Sequence, residues 1–534
     1  MPGNLLKGTG RIDRRCFLAR AGWLAGGSVL GSSVVGCDTV HLELPCLSVA
    51  PAPPALPGTT VIHASQIGCA LDCNLATGNN KYTGGPATDD GPRINAAMSG
   101  ASASNPITLI IDGSALISGL FLPAGGYWSI QGLGCETGFF IKPGTNNDGI
   151  HNGPAAPIPN NPGPPAPPRG KYVSLCNFVL NGNRGNGYDG DSTTGAQQGN
   201  LTAVWYFGIN LTSLDNIVIE NLAVINAPSF HIRLSNVGNV SVSGCLMRTF
   251  GVNTDGLHFD GPANDVTISN CSFGTGDDAI ALNCPEGYTG NIARVTVTNC
   301  TFNSASMMRL YTIPWQGPPG FNIDAVSVSN CSGTLVAGGF LIGESSQSLP
   351  NALDGLTISN CTMTAPAVLD ISANFGSIVL NNVKLNPAGY SQSPGYAFVR
   401  TSLLYNGFTY AGSSLTLNNC AISPGDSLTA ALILQNNSTI ADLIFNGFAA
   451  PASHLIDFVA GSIGELVINS VNSANIPAPV SQGGFSNIGS VSGSGVLATG
   501  WEFPDAVMAN GVPYISANSG LPSIKIGGVV ELYP

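Results

Sequence analysis

A short frame of alternating apolar residues ending in Asn-Cys recurs through the middle of this chain, and it constrains the fold more than any other feature. The copies are Val266-Thr-Ile-Ser-Asn-Cys271, Val295-Thr-Val-Thr-Asn-Cys300, Val326-Ser-Val-Ser-Asn-Cys331, Leu356-Thr-Ile-Ser-Asn-Cys361 and Leu415-Thr-Leu-Asn-Asn-Cys420. Looser copies stand at Ile217–Leu222, Val240–Cys245 and near Ile378–Val383. From Cys245 to Cys361 the spacings are 26, 29, 31 and 30 residues, the length of one solenoid coil with loops that vary. Each copy alternates with period two and lacks a helical pattern, so successive copies stack as parallel strands about 4.8 Å apart. The reading is all-β: a single-stranded, right-handed parallel β-helix. In such a stack the repeated Asn forms a ladder at a fixed turn. The Cys beside it forms a column of small buried thiols, since in-register neighbours in one ladder are poorly placed for disulfides. A β-sandwich with accidental periodicity is the competing architecture.

Composition supports a turn-rich β chain rather than disorder, with 9% charged residues, 69 Gly and 37 Pro. A net charge of −12 with 18 Lys plus Arg gives no footprint for nucleic acid. Four segments are expected. Residues 1–37 carry Arg14-Arg15, a mild apolar run and Val34-Val35-Gly36-Cys37, the pattern of a twin-arginine, lipoprotein-type signal. A lipidated Cys37 would attach an exported protein to a membrane at the periplasmic or cell surface, and cleavage near the same place would release it. Residues 38–60 form a Pro-rich tether. Residues 61–500 form the solenoid, and residues 501–534 a tail closing it. A short helix with Asp89 or Asp90 as N-cap, and Ile94, Ala97 and Met98 on one face, should cap the N-terminal end. Strands are expected at Ile107–Ile111 and Tyr127–Gln131, and a surface loop over Pro154–Pro168. Cys69 and Cys73 are close enough for a local disulfide. No zinc-type spacing is present, and no cofactor or metal is expected.

Two coils carry polar residues where strand should form: Asn253-Thr-Asp255-Gly-Leu-His258-Phe259 and Gly276-Asp277-Asp278-Ala-Ile-Ala-Leu282. Stacking Leu257 on Ile280 and Phe259 on Leu282 sets the register, because a slip of one residue would turn the core outward. Asp255, Asp277 and Asp278 then meet on one face. Crowded carboxylates raise the pKa of at least one member. Glycoside hydrolysis needs that division: one carboxylic acid to protonate the leaving oxygen and one carboxylate to activate water, roughly 6.5 to 9.5 Å apart in inverting enzymes. Acids in solvated turns or calcium sites are the plainer alternative. The same register aligns Arg233, His258, Ala281 and Arg309 in one column, and its cations suit sugar hydroxyls or carboxylates. Trp205, Tyr206, Tyr311 and Trp315 are candidates for stacking on sugar rings.

The segments Asn216-Ile-Val-Ile-Glu-Asn-Leu, Asn226-Ala-Pro-Ser-Phe-His231, Asn253-Thr-Asp255-Gly and Thr275-Gly-Asp277-Asp278-Ala-Ile-Ala resemble glycoside hydrolase family 28, the polygalacturonase and rhamnogalacturonase group with a pectin lyase-like β-helix. The resemblance covers roughly residues 170–310. It implies Asp277 as the acid and Asp255 and Asp278 as the residues that activate water; the candidate substrate contacts are Asn253 and His231 in the matching segments and Arg233, His258 and Arg309 in the column. The family's Gly-His-Gly would fall at Ser304-Ala305-Ser306, and its Arg-Ile-Lys near Gly339-Phe340-Leu341-Ile342. The expected substrate is a polysaccharide, pectin-type or another glycan, cleaved by a monomer. The rivals are a polysaccharide lyase on the same fold and a non-catalytic glycan-binding β-helix.

Overall fold

The computed structural model describes residues 56–534 except 146, 154–164, 185–205, 285, 313–319, 345–351, 388–396, 402–408, 424–427, 436, 450–451, 473–475, 477, 482–485, 495–523, 527–528 and 532–534. The expected signal, Cys37, most of the tether, most of the 154–168 loop, most of the tail, Trp205 and Trp315 lie outside the described residues.

From Thr60–His63 to Ser486–Ser492 the strands pair in parallel, each coil laying its strands on those of the coil before. The apolar alternation is the cause. Val266 pairs with Val295, Val295 with Val326, Val326 with Leu356, Leu356 with Ile378 and Ile378 with Leu415, while the intervening side chains face outward. These residues are all at most 1% exposed and belong to one continuous core, and burying each stabilises the fold by about 1.5–3 kcal/mol. Phe273 stacks on Phe302 with ring centroids 5.1 Å apart.

The turn after each core strand has a fixed conformation. Asn221, Asn270, Asn299, Asn330, Asn360, Asn382 and Asn419 all have φ between 51° and 55°, a left-handed region that Asn tolerates and most residues do not. In the copy at Val240–Cys245 the same place is taken by Gly244, with φ 62°. Asn299 has an exposed side chain, so its substitution isolates the backbone requirement. Asn299→Gly should leave the denaturation midpoint nearly unchanged, whereas Asn299→Val should lower stability by about 1–2 kcal/mol. Equal midpoints for the two variants would remove the conformational explanation of the Asn column. The following cysteines, Cys245 to Cys361 and Cys420, are buried free thiols. Each Sγ turns to the carbonyl two residues back, as Cys271 does to Ser269 O at 3.2 Å.

The helix spans Gly91–Met98 and buries Ile94 and Met98 at the N-terminal end of the core, with Ala97 only partly covered. Asp90 occupies the N-cap position without capping through its side chain. Its carboxylate instead accepts from the Ala70 and Leu71 amides at 2.7 and 3.0 Å. The disulfide expected between Cys69 and Cys73 is absent: both are free. Cys69 packs on the main core, whereas Cys73 lies in a separate cluster with Leu75, Leu116 and Phe140, so the thiols are drawn to different apolar surfaces.

Candidate active site

The site forms where four adjacent coils begin the strands Ile232–Ser243, Leu257–Ser269, Asp278–Cys284 and Thr301–Thr312. Leu257 pairs with Ile280 and Phe259 with Leu282, the register that the apolar pairs call for. Asp255 and Asp278 are thereby brought alongside, and the Gly256 amide donates to Asp278 O at 3.0 Å. One carboxylate oxygen from each of Asp255, Asp277 and Asp278 lies within 4.8 Å of the others. That clustering is tighter than the separation expected from paired acids, because rung spacing of about 4.8 Å brings the acids together.

The three acids have different surroundings. Asp255 and Asp278 are each 2% exposed, whereas Asp277 is partly open. Burial, followed by the charges of Asp278 and Asp255, pushes the Asp277 carboxyl up to about 8. Its Oδ2 accepts the Asn253 amide at 3.1 Å, presented by an Asn253 backbone with φ 53°. Burial also raises Asp278, against the lowering effects of the Arg309 cation and the Ser306 hydrogen bond. Ser306 Oγ donates to Asp278 Oδ1 at 2.6 Å, and Arg309 Nη1 stands 3.5 Å from Asp278 Oδ2. Ser306 falls where the family places its Gly-His-Gly. A hydroxyl therefore holds Asp278 there, and Ser304 Oγ accepts from Thr275 Oγ1 at 2.8 Å.

The column Arg233, His258, Ala281, Arg309 is in register, but only Arg309 has an accessible side chain, at 29%. Its guanidinium lies 3.9 Å from the centre of the Tyr311 ring, so Tyr311 is buried under Arg309. Tyr206 packs partly buried on the core. Leu341 continues the column beyond Arg309 with a buried apolar side chain. Arg233 and His231, expected to meet a ligand, are instead enclosed. Arg233, 1% exposed, pairs with Asp260 through Nη2 at 2.6 Å and Nε at 2.7 Å. His231 is fully buried, and its Nδ1 is 2.8 Å from Asp255 O. Burial lowers its pKa to about 4, leaving a neutral ring that supports the Asp255 backbone.

Asp260, Glu286 and Ser306 were missed in the sequence. Asp260 could have been found by extending the strand alternation two residues past His258; Glu286 sits in a loop and carries no local signal. His258 Nδ1 is 2.7 Å from Asp255 Oδ2, and its Nε2 is 2.9 Å from Glu286 Oε2 and 3.1 Å from Asp260 Oδ1. The donor types in this group and in the three acids could also suit a cation. The His258 group already engages its own members and the three acids engage neighbouring donors, and neither group is assigned as a metal centre.

Fold and site together define a right-handed parallel β-helix with a carboxylate cluster on adjoining rungs. Residues 177–305 match the model of Glycosyl hydrolases family 28. The match lies in that one segment, which carries all three acids of the cluster. A polygalacturonase of Medicago sativa is 23% identical over 284 residues, 45% of this chain and 61% of the relative. One of Malus domestica is 36% identical over 77 residues, 14% of this chain and 16% of the relative. The chain thus spans about three fifths or less of the curated relatives it matches. Among solved structures, the family 28 exopolygalacturonase of Yersinia enterocolitica superposes with a TM-score of 0.54 at 14% identity, covering 77% of this chain and 79% of that one. That likeness bears on the fold.

Proposed function

We propose that this protein is a glycoside hydrolase that cleaves a pectin-type polygalacturonan by a single, inverting displacement. The observation that carries the reading is the division within the acid cluster. Asp277, the partly open member, has its carboxyl pushed up to about 8 and so holds a proton at neutral pH, while Asp255 and Asp278 lie beside it. Asp277 gives its proton to the glycosidic oxygen as the bond to the anomeric carbon breaks. Water held by Asp255 and Asp278 attacks that carbon and yields its proton to the carboxylate pair. Arg309, accessible beside Asp278, is the cation available to a uronate carboxylate. The family match over residues 177–305 and the similarity to polygalacturonases favour the same substrate class.

The direct test incubates the purified protein with polygalacturonan and with neutral glycans, following reducing ends and ultraviolet absorbance together. Hydrolysis releases reducing ends without an unsaturated product; absorbance growing with cleavage would make it a lyase, and binding without cleavage a glycan-binding β-helix. Anomeric NMR of the first product reads stereochemistry, and retention would reassign Asp255 or Asp278 as a nucleophile. Because the acid must be protonated, kcat should fall as pH rises through about 8. A rate still climbing above pH 9 would exclude Asp277 as the donor. The amino-terminal pattern belongs to the same proposal: export with lipid on Cys37, checked by lipid labelling that Cys37→Ala abolishes.

A further inference from the structure

Both nitrogens of the His258 ring are engaged by protein carboxylates, and its face is covered. Nδ1 meets Asp255 Oδ2 at 2.7 Å; Nε2 meets Glu286 Oε2 at 2.9 Å and Asp260 Oδ1 at 3.1 Å. The Phe230 ring lies 4.0 Å away and 7° from parallel, and His258 is 2% exposed. The ring therefore has no nitrogen left for a sugar, which separates it from the ligand role suggested by the sequence.

We propose that His258 is a positioning residue, whose Nδ1–H locks the Asp255 carboxylate while Asp260 and Glu286 brace the ring from the Nε2 side. The proposal rests on the hydrolase reading of the site and adds a residue that never touches substrate. Each outer carboxylate is itself held. Asn283 Nδ2 donates to Glu286 Oε2 at 2.9 Å, and Arg233 Nε donates to Asp260 at 2.7 Å. The Ser235 hydroxyl also donates to Asp260. The charged groups facing the ring are Asp255 and Asp260 from its own segment, Glu286 from the following loop, Arg233 from the preceding coil through Asp260, and Asp278 from the next coil. Burial alone would lower the His258 pKa, but the hydrogen bonds to Asp255, Asp260 and Glu286 raise it well above the ordinary value. A ring held at both nitrogens by three carboxylates and covered on one face cannot rotate to release Asp255. Asp255 is thus kept aimed beside Asp277, the fixed geometry that a water-activating carboxylate needs.

Two substitutions divide the ring into its halves. H258N keeps an amide nitrogen near the Nδ1 position, and so the donor to Asp255, but loses the brace. H258Q reaches the Nε2 position and keeps the brace, but loses the Asp255 donor. If His258 acts through Asp255, H258Q should lose kcat by about 10- to 100-fold with KM little changed, and H258N should retain clearly more. H258N falling as far as H258Q would mark a purely structural ring, and a raised KM with unchanged kcat would mark a ligand contact; either result overturns the proposal. A second readout does not depend on turnover. The chain has 6 histidines, and selective 15N labelling of the full protein should show one ring protonated on both nitrogens at pH 7, its Nδ1 resonance moving in Asp255→Asn. A His258 ring with one bare nitrogen would sink the lock. An inactive parent with that NMR signature would instead sink the hydrolase reading alone.

Discussion

Asp277→Asn should lose hydrolysis by at least about 100-fold and, at neutral pH, gain stability. The first effect follows from chemistry. An amide occupies the same volume and accepts the same Asn253 amide bond, but it has no proton to release to a leaving oxygen, and general acid catalysis contributes on the order of 10²–10⁴ in rate. The second follows from linkage. The Asp277 carboxyl is pushed from an ordinary 3.8 to about 8 by burial and by its two acidic neighbours. Between those values the folded protein retains a proton that the unfolded chain has released, so stability falls as pH rises through this window. Asn does not titrate. The difference in unfolding midpoint between variant and parent should be small near pH 4 and grow in favour of the variant towards pH 8. A parent-like rate in the variant removes Asp277 as the acid; a midpoint difference independent of pH removes the raised pKa as the cause.

Asp260→Ala should be strongly destabilising, by about 3–5 kcal/mol, because it leaves buried positive charge without its partner. Asp260 is fully buried and takes the Arg233 Nε and Nη2 protons at 2.7 and 2.6 Å and the Ser235 hydroxyl, facing His258 Nε2 at 3.1 Å. Losing one partner differs from losing the pair. Arg233→Met combined with Asp260→Leu should recover part of the loss, since neither retains an uncompensated charge. Urea denaturation of the two variants beside the parent measures this. If Asp260→Ala shifts stability by less than about 0.5 kcal/mol, the pair is not the structural element described here.

Much of the site could be read from spacing alone because a β-helix converts sequence periodicity directly into contact. Once Leu257 and Phe259 lie on Ile280 and Leu282, Asp255 must stand beside Asp278, and Arg233, His258, Ala281 and Arg309 must share a column. Side-chain burial was not readable in that way. Arg233 and His231 looked like ligands because strand parity says which way a residue leaves the coil but not what covers it. Asp260 and Glu286 cover the outer side of His258, one from two residues along the strand and the other from a loop with no pattern. The same gap explains Cys69 and Cys73, where nearness along the chain said nothing of the two apolar clusters that draw them apart.

The sequence by itself determined the stacked rungs, the Asn column at a fixed turn and the meeting of three acids, because a period-two pattern repeated every coil admits only one register that keeps its apolar residues inside. The tertiary structure alone decided the division of labour among those groups. Which carboxyl stays open and protonated, which His is neutral and which braced, and which Arg remains accessible all depend on desolvation and partner distance. Those quantities arise between coils and loops far apart in the chain, and no local pattern carries them.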